Sequence, residues 1–262
     1  MIAILLFLIC ITASSVGAVV GAGGGVIIKP ALDMFGLLPV ATVSFCSGCT
    51  VLGMSISSLI RNRRDGIKLQ LRTSTALAIG AVAGGLLGQS LFDHLMEFFG
   101  NERLIGAIQS IILTIIMILV FLYVCKKDNI KSKKIDNIFV SLIIGLVLGM
   151  TSAFLGIGGG PANVAVLFYF FSMNAKEAAK NSLYIIIFSQ LASLFLALGS
   201  KTVPKFQWIY LISMIAGGIS GAMVGSMISK KMDNTGVEKL LKGLLILIII
   251  MDSYNILKYT VL

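Results

Sequence analysis

The chain alternates between long apolar runs and short polar segments. Eight of the runs are about 20 residues long, which is the length an α-helix needs to cross the hydrocarbon core of a bilayer. These runs cover residues 1–20, 42–60, 73–92, 104–124, 137–156, 182–199, 207–229 and 240–257. The pattern therefore predicts an all-α integral membrane protein with eight transmembrane helices.

Two further apolar stretches, at residues 24–38 and 159–173, are shorter and are interrupted by polar or helix-breaking residues. A stretch of this length is more typical of a half-helix or a re-entrant segment than of a full span. Each one starts within a cluster of glycines. We therefore expect a broken or re-entrant segment at both places.

The composition supports a membrane protein and changes the meaning of the net charge. Hydrophobic residues make up 57% of the 262 residues and charged residues only 12%, whereas soluble domains carry about 25% charged residues. The net charge of +10 would favour a nucleic-acid-binding protein if the chain were soluble. In a membrane protein it is better explained by Lys and Arg in cytoplasmic loops. We expect the lipid bilayer, and not nucleic acid, as a partner.

The loops of the first half alternate in charge. The loops at 61–72 and 125–136 are basic, whereas the loop at 93–103 between them is acidic. Because basic loops stay in the cytoplasm, this alternation predicts that both termini are cytoplasmic. Lys230 and Lys231 do not fit, since the same scheme places their loop outside.

The two halves of the chain also share a pattern. The glycine clusters at 21–25 and 156–160 lie 135 residues apart, and three further features recur at an offset of 137. These features are Lys68–Gln70 with Lys205–Gln207, the triplet Gly80, Gly84 and Gly88 with Gly217, Gly221 and Gly225, and Gly106 with Gly243. We infer a duplication, with four-helix repeats at 1–124 and 137–262 joined by a basic cytoplasmic linker at 125–136.

The number of crossings decides how the two repeats are related. Four spans in each repeat bring the second repeat into the membrane in the same direction as the first, which predicts parallel repeats. Inverted repeats would follow only if the short stretches at 24–38 and 159–173 also cross. The sequence favours the parallel arrangement.

The glycine clusters are the first candidates for a binding site. Consecutive glycines break a helix and free backbone N–H groups, which a membrane protein tolerates only where they are buried in protein or line a wet cavity. Neighbouring N–H groups bind anions, and the N-terminus of a following helix adds positive potential. The predicted substrate-binding glycines are Gly23, Gly24, Gly25, Gly158, Gly159 and Gly160. Close helix packing is the alternative, and it is favoured for the regularly spaced Gly80, Gly84 and Gly88.

Three segments carry a resemblance to a known family: Gly21–Pro30, Gly156–Pro161 and Ala178–Ser182. In these segments, and in its duplicated eight-span layout, the chain resembles the sulfite exporter TauE/SafE family. The resemblance implies a bacterial inner-membrane permease for sulfite, organosulfonates or related small anions. Two positions depart from it: Lys29 is an unusual charge, and Ala165 stands where Pro30 stands in the first repeat.

Polar residues inside apolar segments are the second set of candidates, because an unpartnered polar group is costly in lipid. They are predicted either to line the substrate path or to bond between helices: Lys29, Ser44, Asn163, Asn181, Ser182 and Gln190. Lys29 either holds an anion or pairs with Asp33, four residues further along the helix. Asp252, an acid in the last span, is a candidate carrier of a coupling proton.

Other chemistries have weaker signals. Cys46 and Cys49 have a CxxC spacing that would suit a membrane thiol enzyme, but buried structural cysteines are common. The single His94 completes neither a catalytic triad nor a metal site. Val26 and Pro161 replace glycines that a dinucleotide fingerprint requires. We predict no catalytic residue, no metal and no cofactor.

The sequence thus predicts a secondary permease for a small anion that works by alternating access between the two repeats. Its partners would be the anionic substrate, the bilayer and a coupling proton or ion, with a homo-oligomer left open. A membrane thiol enzyme and a non-transport scaffold are the competing hypotheses.

Overall fold

The computed structural model describes residues 2–63, 65–200 and 202–261. Within these ranges the chain forms ten α-helices and no strand. The helices are α1 Ile2–Val20, α2 Gly25–Phe35, α3 Val40–Arg61, α4 Leu71–Phe99, α5 Glu102–Lys126, α6 Ile138–Leu155, α7 Gly160–Phe171, α8 Ala175–Gly199, α9 Trp208–Lys231 and α10 Asn234–Val261. A single 3₁₀ turn at Lys127–Asn129 follows α5.

Eight of these helices are long and apolar enough to cross a membrane, namely all but α2 and α7. The eight predicted spans and the all-α fold are therefore confirmed. The two shorter stretches form α2, of 11 residues, and α7, of 12 residues. Large apolar side chains such as Phe139, Phe195 and Ile212 are more than 60% exposed on the outer surface, which lipid rather than water would cover.

Polar residues at the ends of the helices satisfy backbone groups that would otherwise lack partners. The Asn101 and Asn137 side chains accept N–H groups in the first turns of α5 and α6. Asn174 and Glu177 form a capping box at the start of α8. Helices α4 and α6 end at Gly100 and Gly156, whose left-handed φ angles favour glycine.

Regularly spaced glycines bring two pairs of helices into close contact. A Cβ atom on Gly84 of α4 would overlap the backbone carbonyl oxygen of Leu146 in α6. A Cβ atom on Gly221 of α9 would overlap the backbone carbonyl oxygen of Ile11 in α1. The same relation holds for the flanking members of the two triplets: Gly80, Gly88, Gly217 and Gly225. These glycines therefore pack helices together, as their spacing predicts.

Contacts between helix ends show which ends share a face of the membrane. Lys180, near the start of α8, donates to the carbonyl oxygens of Asn62 and Ile67 after α3. At the opposite face, Thr42 near the start of α3 donates to the carbonyl oxygen of Lys205 after α8. We call the first the basic face, where α3, α5, α7 and α9 end, and the second the acidic face, where α2, α4, α6, α8 and α10 end.

The short helix α2 runs back toward the face from which α1 came. Gly21, at the end of α1, lies against Ala179 near the basic face. At the other end of α2, Lys258 from the last turns of α10 donates to the carbonyl oxygens of Asp33 and Met34. Helix α7 mirrors this, since Ser172 at its end bonds Ser132 at the basic face. Each half of the chain therefore changes direction once more than its four long spans require.

This extra turn inverts the second half relative to the first. Helix α6 runs in the same direction as α4, because Gly80, Gly84 and Gly88 meet successively later residues of α6. Helix α4 starts at the basic face, so α6 runs away from that face whereas α1 runs toward it. The prediction of parallel repeats is wrong for this structure, because α2 and α7 add a reversal to each half. Helix α9 runs with α1, which brings Lys230 and Lys231 to the basic face.

The contacts between helices also recur in the two halves. Each main contact has a counterpart in which every helix is replaced by the corresponding helix of the other half. Helix α4 packs on α6 as α9 packs on α1, and α4 packs on α8 as α9 packs on α3. The short helices behave in the same way, with α2 on α10 and α7 on α5. This packing is compatible with a duplication, whose boundaries at 124 and 137 stay a prediction.

Candidate functional site

The two glycine loops meet at the interface between the halves, level with the middle of the long helices. A Cβ atom on Gly23 would lie 3.4 Å from the carbonyl oxygen of Gly158, and one on Gly25 would overlap that of Ile157. Positive φ angles of +61° at Gly23 and +75° at Gly158 explain why glycine occupies the turns. The sequence predicted both loops as site elements, and the structure brings them into contact.

Each loop leads directly into the N-terminus of a short helix. Helix α2 begins at Gly25 and α7 begins at Gly160, so two helix N-termini converge where the loops touch. The first loop is fixed by Ser182, whose hydroxyl donates to the carbonyl oxygen of Gly21 at 2.7 Å. The N–H of Gly24 donates to the sulfur of Met54 at 3.2 Å, which is a weak acceptor.

Two aliphatic side chains close the space around the loops. Val51 of α3 lies beside both loops, with its Cγ1 atom 3.2 Å from a Cβ on Gly23 and 2.6 Å from one on Gly158. Ile186 of α8 likewise lies beside Gly23 and Gly159. Val51 is 1% exposed and Ile186 is fully buried. In this conformation the glycine loops are therefore shielded from water.

A cavity of about 280 Å³ leads from the acidic face toward the loops. It reaches Gly156, the first glycine of the second loop, and Gly48 in α3. The polar groups of its wall are amides, hydroxyls and one carboxylate: Ser44, Gln89, Asp93, Gln190, Ser193 and Thr202. Among the described residues that line it, none is basic.

The polar groups of the cavity occupy two levels. Asp93 lies at the mouth and accepts hydrogen bonds from Gln89 at 2.9 Å and from Thr202 at 3.4 Å. Gln190 lies deeper, and its Oε1 atom would be 2.8 Å from a Cβ on Gly48. The missing side chain of Gly48 thus makes room for the Gln190 amide.

The structure separates the predicted site residues into groups. Ser44 and Gln190 lie in the cavity wall. Asn163 lies behind the cavity, with its Nδ2 atom 2.5 Å from a Cβ on Gly159. Its Oδ1 atom accepts no hydrogen bond in the described part of the chain.

Asn181 lies near the basic face and ties α8 to the start of α4. Its Oδ1 atom accepts from the backbone N–H of Gln70 at 3.0 Å and from the Ser74 hydroxyl at 2.5 Å. Its Nδ2 atom donates to the Glu177 carbonyl oxygen at 2.7 Å. These bonds correspond to the interhelical alternative that the sequence left open, and they leave Asn181 outside the cavity.

Lys29 lies on α2, one turn beyond the glycine loop, and it does not line the cavity. Its Nζ atom is 3.4 Å from the Oδ2 atom of Asp33, and both side chains are 4% exposed. This buried ion pair is the local alternative predicted from the spacing of the two residues.

Sequence reasoning missed most of the cavity wall. Gln89 and Asp93 carried a usable signal, since two polar residues four apart in an apolar span share one helix face. Ser193 and Thr202 had no such pattern. Val51 and Ile186 could not be found from the sequence, because an aliphatic residue in an apolar helix looks the same whether it closes a path or faces lipid.

A family model described as "Sulfite exporter TauE/SafE" matches residues 6–251 of the chain. The chain belongs to the TauE/SafE family. Two relatives from Bacillus subtilis (strain 168) are similar over most of their length. The probable membrane transporter protein YunE is 24% identical over 94% of this chain and 95% of its own. The probable membrane transporter protein YdhB is 22% identical over 79% of this chain and 82% of its own.

No solved structure matches this TauE/SafE chain significantly. The family and its relatives make the protein a multi-pass membrane transporter. They agree with the transporter predicted from the sequence. Cys46 and Cys49 are both unbridged, and Cys46 is fully buried.

Proposed function

We propose that the protein is a secondary permease that carries a small anion of the sulfite or organosulfonate class across the inner membrane of a bacterium. One observation supports this more than any other. The N-termini of α2 and α7 converge at two glycine loops at the interface between the inverted halves, and a polar cavity reaches Gly156 of the second loop. This arrangement suits an anion that rests where the halves meet.

The electrostatics of this point favour negative charge. Each helix N-terminus carries a partial positive charge of roughly half an elementary charge. Two of them, surrounded by apolar side chains, act with little screening from water. The cavity wall supplies donors from Ser44 and Gln190 and no described cation. An anion would be held firmly enough to enter and loosely enough to leave, as transport requires.

We propose alternating access as the mechanism. In the observed conformation the cavity opens at the acidic face, and Val51 and Ile186 close the space around the loops. Toward the basic face, two contacts close the path. The Ser74 hydroxyl donates a hydrogen bond to the Asn181 amide oxygen, and the Lys180 Nζ atom lies 2.6 Å from the Oδ1 atom of Asp65. Since the halves are inverted, exchanging their conformations would open the opposite face.

We also propose a revised orientation. The helix directions bring most of the basic residues to one face, including Lys230 and Lys231, which did not fit the sequence-based scheme. Under the positive-inside rule this basic face is cytoplasmic. Both termini then lie on the outer side, opposite to the orientation predicted from the first-half loops.

Labelling of Cys125 tests this orientation. Cys125 is the exposed cysteine of the chain and lies at the end of α5, at the basic face, whereas Cys10 and Cys46 are buried. We expect a membrane-impermeant maleimide to leave Cys125 unmodified in intact cells and to modify it in inverted vesicles. A cysteine introduced by Thr260→Cys in a Cys125→Ser background should behave in the opposite way. Modification of Cys125 in intact cells would contradict this orientation and support the one predicted from the first-half loops, with both termini in the cytoplasm.

Flux measurements test the permease. We expect purified protein in proteoliposomes to accumulate radiolabelled sulfite, taurine or sulfate faster than empty liposomes do. Gln190→Leu should lower the uptake rate at least about tenfold, because it removes a hydrogen bond to a charged ligand worth about 1.5–3 kcal/mol. The matched control is Gln207→Leu, at an exposed position before α9, which should transport normally. Correctly folded protein that moves none of these anions would disprove the proposal.

A further inference from the structure

A charged cluster is buried between α2 and α10, away from the cavity. It contains Lys29 and Asp33 of α2 and Asp252 and Asn255 of α10, which are 3%, 5%, 1% and 0% exposed respectively. Burial of this much charge in a membrane-spanning segment is costly, and such residues are usually functional.

Hydrogen bonds hold the two helices together around the cluster. The Asn255 amide donates to the carbonyl oxygen of Pro30 at 3.0 Å. Lys258 donates to the carbonyl oxygen of Asp33 at 2.8 Å. Asp252, one turn before Asn255 on the same face of α10, is near enough to interact electrostatically with both Lys29 and Asp33.

The two carboxylates are not equally compensated. Asp33 pairs with Lys29 at 3.4 Å through its Oδ2 atom and lies in the field of Lys258, although its Oδ1 atom accepts no hydrogen bond in the described part of the chain. Asp252 has Lys29 and Asp33 as its charged neighbours, and its Oδ2 atom is buried without a partner in the described part of the chain. A buried carboxylate in this position is costly unless it gains a cation or a proton.

The neighbouring ammonium group favours a proton over a metal ion. Lys29 already pairs with Asp33 and acts electrostatically on Asp252, and it would repel a second cation. The described residues also contain no group of three or more acidic, His or Cys side chains that could hold a metal. A single proton on Asp252 would remove the negative charge of the carboxylate that has no ion-pair partner in the described part of the chain.

We propose that Asp252 is the coupling-proton site of the permease, and that Lys29 exchanges partners between Asp33 and Asp252 as the proton leaves and returns. In the observed state, protonated Asp252 leaves Lys29 with Asp33. When the Asp252 carboxyl releases its proton to water, the resulting carboxylate draws the Lys29 ammonium away from Asp33. This inference rests on the proposed permease function.

The exchange has a direct route to the substrate. Lys29 lies on the same short helix whose N-terminus begins at Gly25, in contact with the second glycine loop. A shift of Lys29 toward α10 would move α2 and hence the glycine loop. Protonation at Asp252 would thereby favour one conformation of the anion site over the other.

The contact between α7 and α5 in the other half lacks these buried acids. Helix α7 packs on α5 as α2 packs on α10. Val164 and Phe168 of α7 stand 135 residues after Lys29 and Asp33, and the buried residues of α5 include Met117 and Val120. In that contact Lys127 lies 4.8 Å from the centre of the Phe168 ring, but no described acidic side chain is buried there. The buried carboxylates between α2 and α10 therefore point to a role in one half alone.

Infrared spectroscopy of the purified protein tests the proton site without measuring transport. We expect the wild type to show a buried carboxylic-acid C=O band that responds to pH. Asp252→Asn should remove the band, and Asp252→Glu should retain it with a shift. Ser253→Ala, at the adjacent exposed position, is the control and should match the wild type.

A second variant tests the partner exchange with Asp252 intact. Asp33→Asn leaves Lys29 free to pair with Asp252, so the Asp252 carboxylic-acid band should disappear here as well. The proposal is overturned if the band persists in Asp252→Asn or in Asp33→Asn, or if the wild type shows no such band.

Uptake driven by a pH gradient then tests the coupling. We expect the gradient to accelerate wild-type anion uptake about tenfold, within the usual range of coupling between two sites, and to have no effect on Asp252→Asn. Gradient-driven uptake by Asp252→Asn at the wild-type rate would overturn the coupling. If the bands behave as expected but the wild type moves no anion, the permease function fails and the proton site stands.

Discussion

Replacing Gly84 by leucine should prevent the protein from folding in the membrane. A Cβ atom at this position would overlap the backbone carbonyl oxygen of Leu146, so α4 and α6 would have to separate. Backbone atoms cannot move aside as a flexible side chain can, and overpacking of a close interface costs about 3 kcal/mol or more. We expect little or no monodisperse protein by fluorescence-detected size-exclusion chromatography.

The control for this variant is Gly243→Leu. Gly243 lies in the long helix α10, and a Cβ atom there would meet nothing within 4 Å. The same change at this position should leave expression and elution unchanged. Equal behaviour of the two variants would mean that α4 and α6 do not pack as described.

Gly158→Ala should abolish anion transport while much of the protein still folds. Gly158 has a φ angle of +75°, and its added Cβ would be 2.6 Å from a methyl group of Val51. Left-handed backbone costs an alanine about 1–2 kcal/mol, and the contact with Val51 adds to this cost at the point where the loops meet. We expect sulfite uptake in proteoliposomes to fall at least tenfold, because about 1.4 kcal/mol added to the free-energy barrier of transport lowers the rate by a factor of ten.

Gly66→Ala separates the strain of a left-handed backbone from the contact with Val51. Gly66 has nearly the same φ angle, +74°, but a Cβ atom there would meet nothing within 4 Å. Gly66→Ala should therefore lose some stability and keep its uptake rate per folded molecule. Equal uptake by Gly158→Ala and Gly66→Ala would show that the second glycine loop is not part of the anion path.

The helices were largely predictable from the sequence, because the length and polarity of each run follow directly from the thickness of the bilayer. All eight spans and both short helices lie where the apolar runs do. The packing role of Gly80, Gly84 and Gly88 was also readable, since small residues at this spacing form one smooth face. The contact between the two glycine loops followed from their position after the first helix of each half.

The relation between the halves was not predictable, because it depends on whether α2 and α7 reverse the chain. Their lengths of 11 and 12 residues leave that question open until contacts such as Lys258 with Asp33 are known. Once the reversal is known, Lys230 and Lys231 join the other basic loops, and the exception in the charge pattern disappears.

The candidate site was predictable only in part. Ser44 and Gln190 stood out as polar residues in apolar spans, and both line the cavity. Asn181 stood out for the same reason, yet it binds Gln70 and Ser74 at the basic face. Polarity identifies residues that need a partner in lipid, but it does not tell whether that partner is a substrate or another helix.

We propose that the transported anion passes between the two glycine loops, beside Val51. The most direct test of this proposal is sulfite flux through Val51→Cys in a background without Cys10, Cys46, Cys49 and Cys125. Flux is measured before labelling and again after N-ethylmaleimide has reacted in the absence of sulfite and been washed out, because sulfite itself adds to the maleimide double bond. The thiol adduct is quantified by mass spectrometry, and Val147→Cys, on the exposed surface of α6, is the control. We expect flux to fall in proportion to the labelled fraction of Val51→Cys and to be unchanged for Val147→Cys. Full flux through completely labelled Val51→Cys would contradict the proposal.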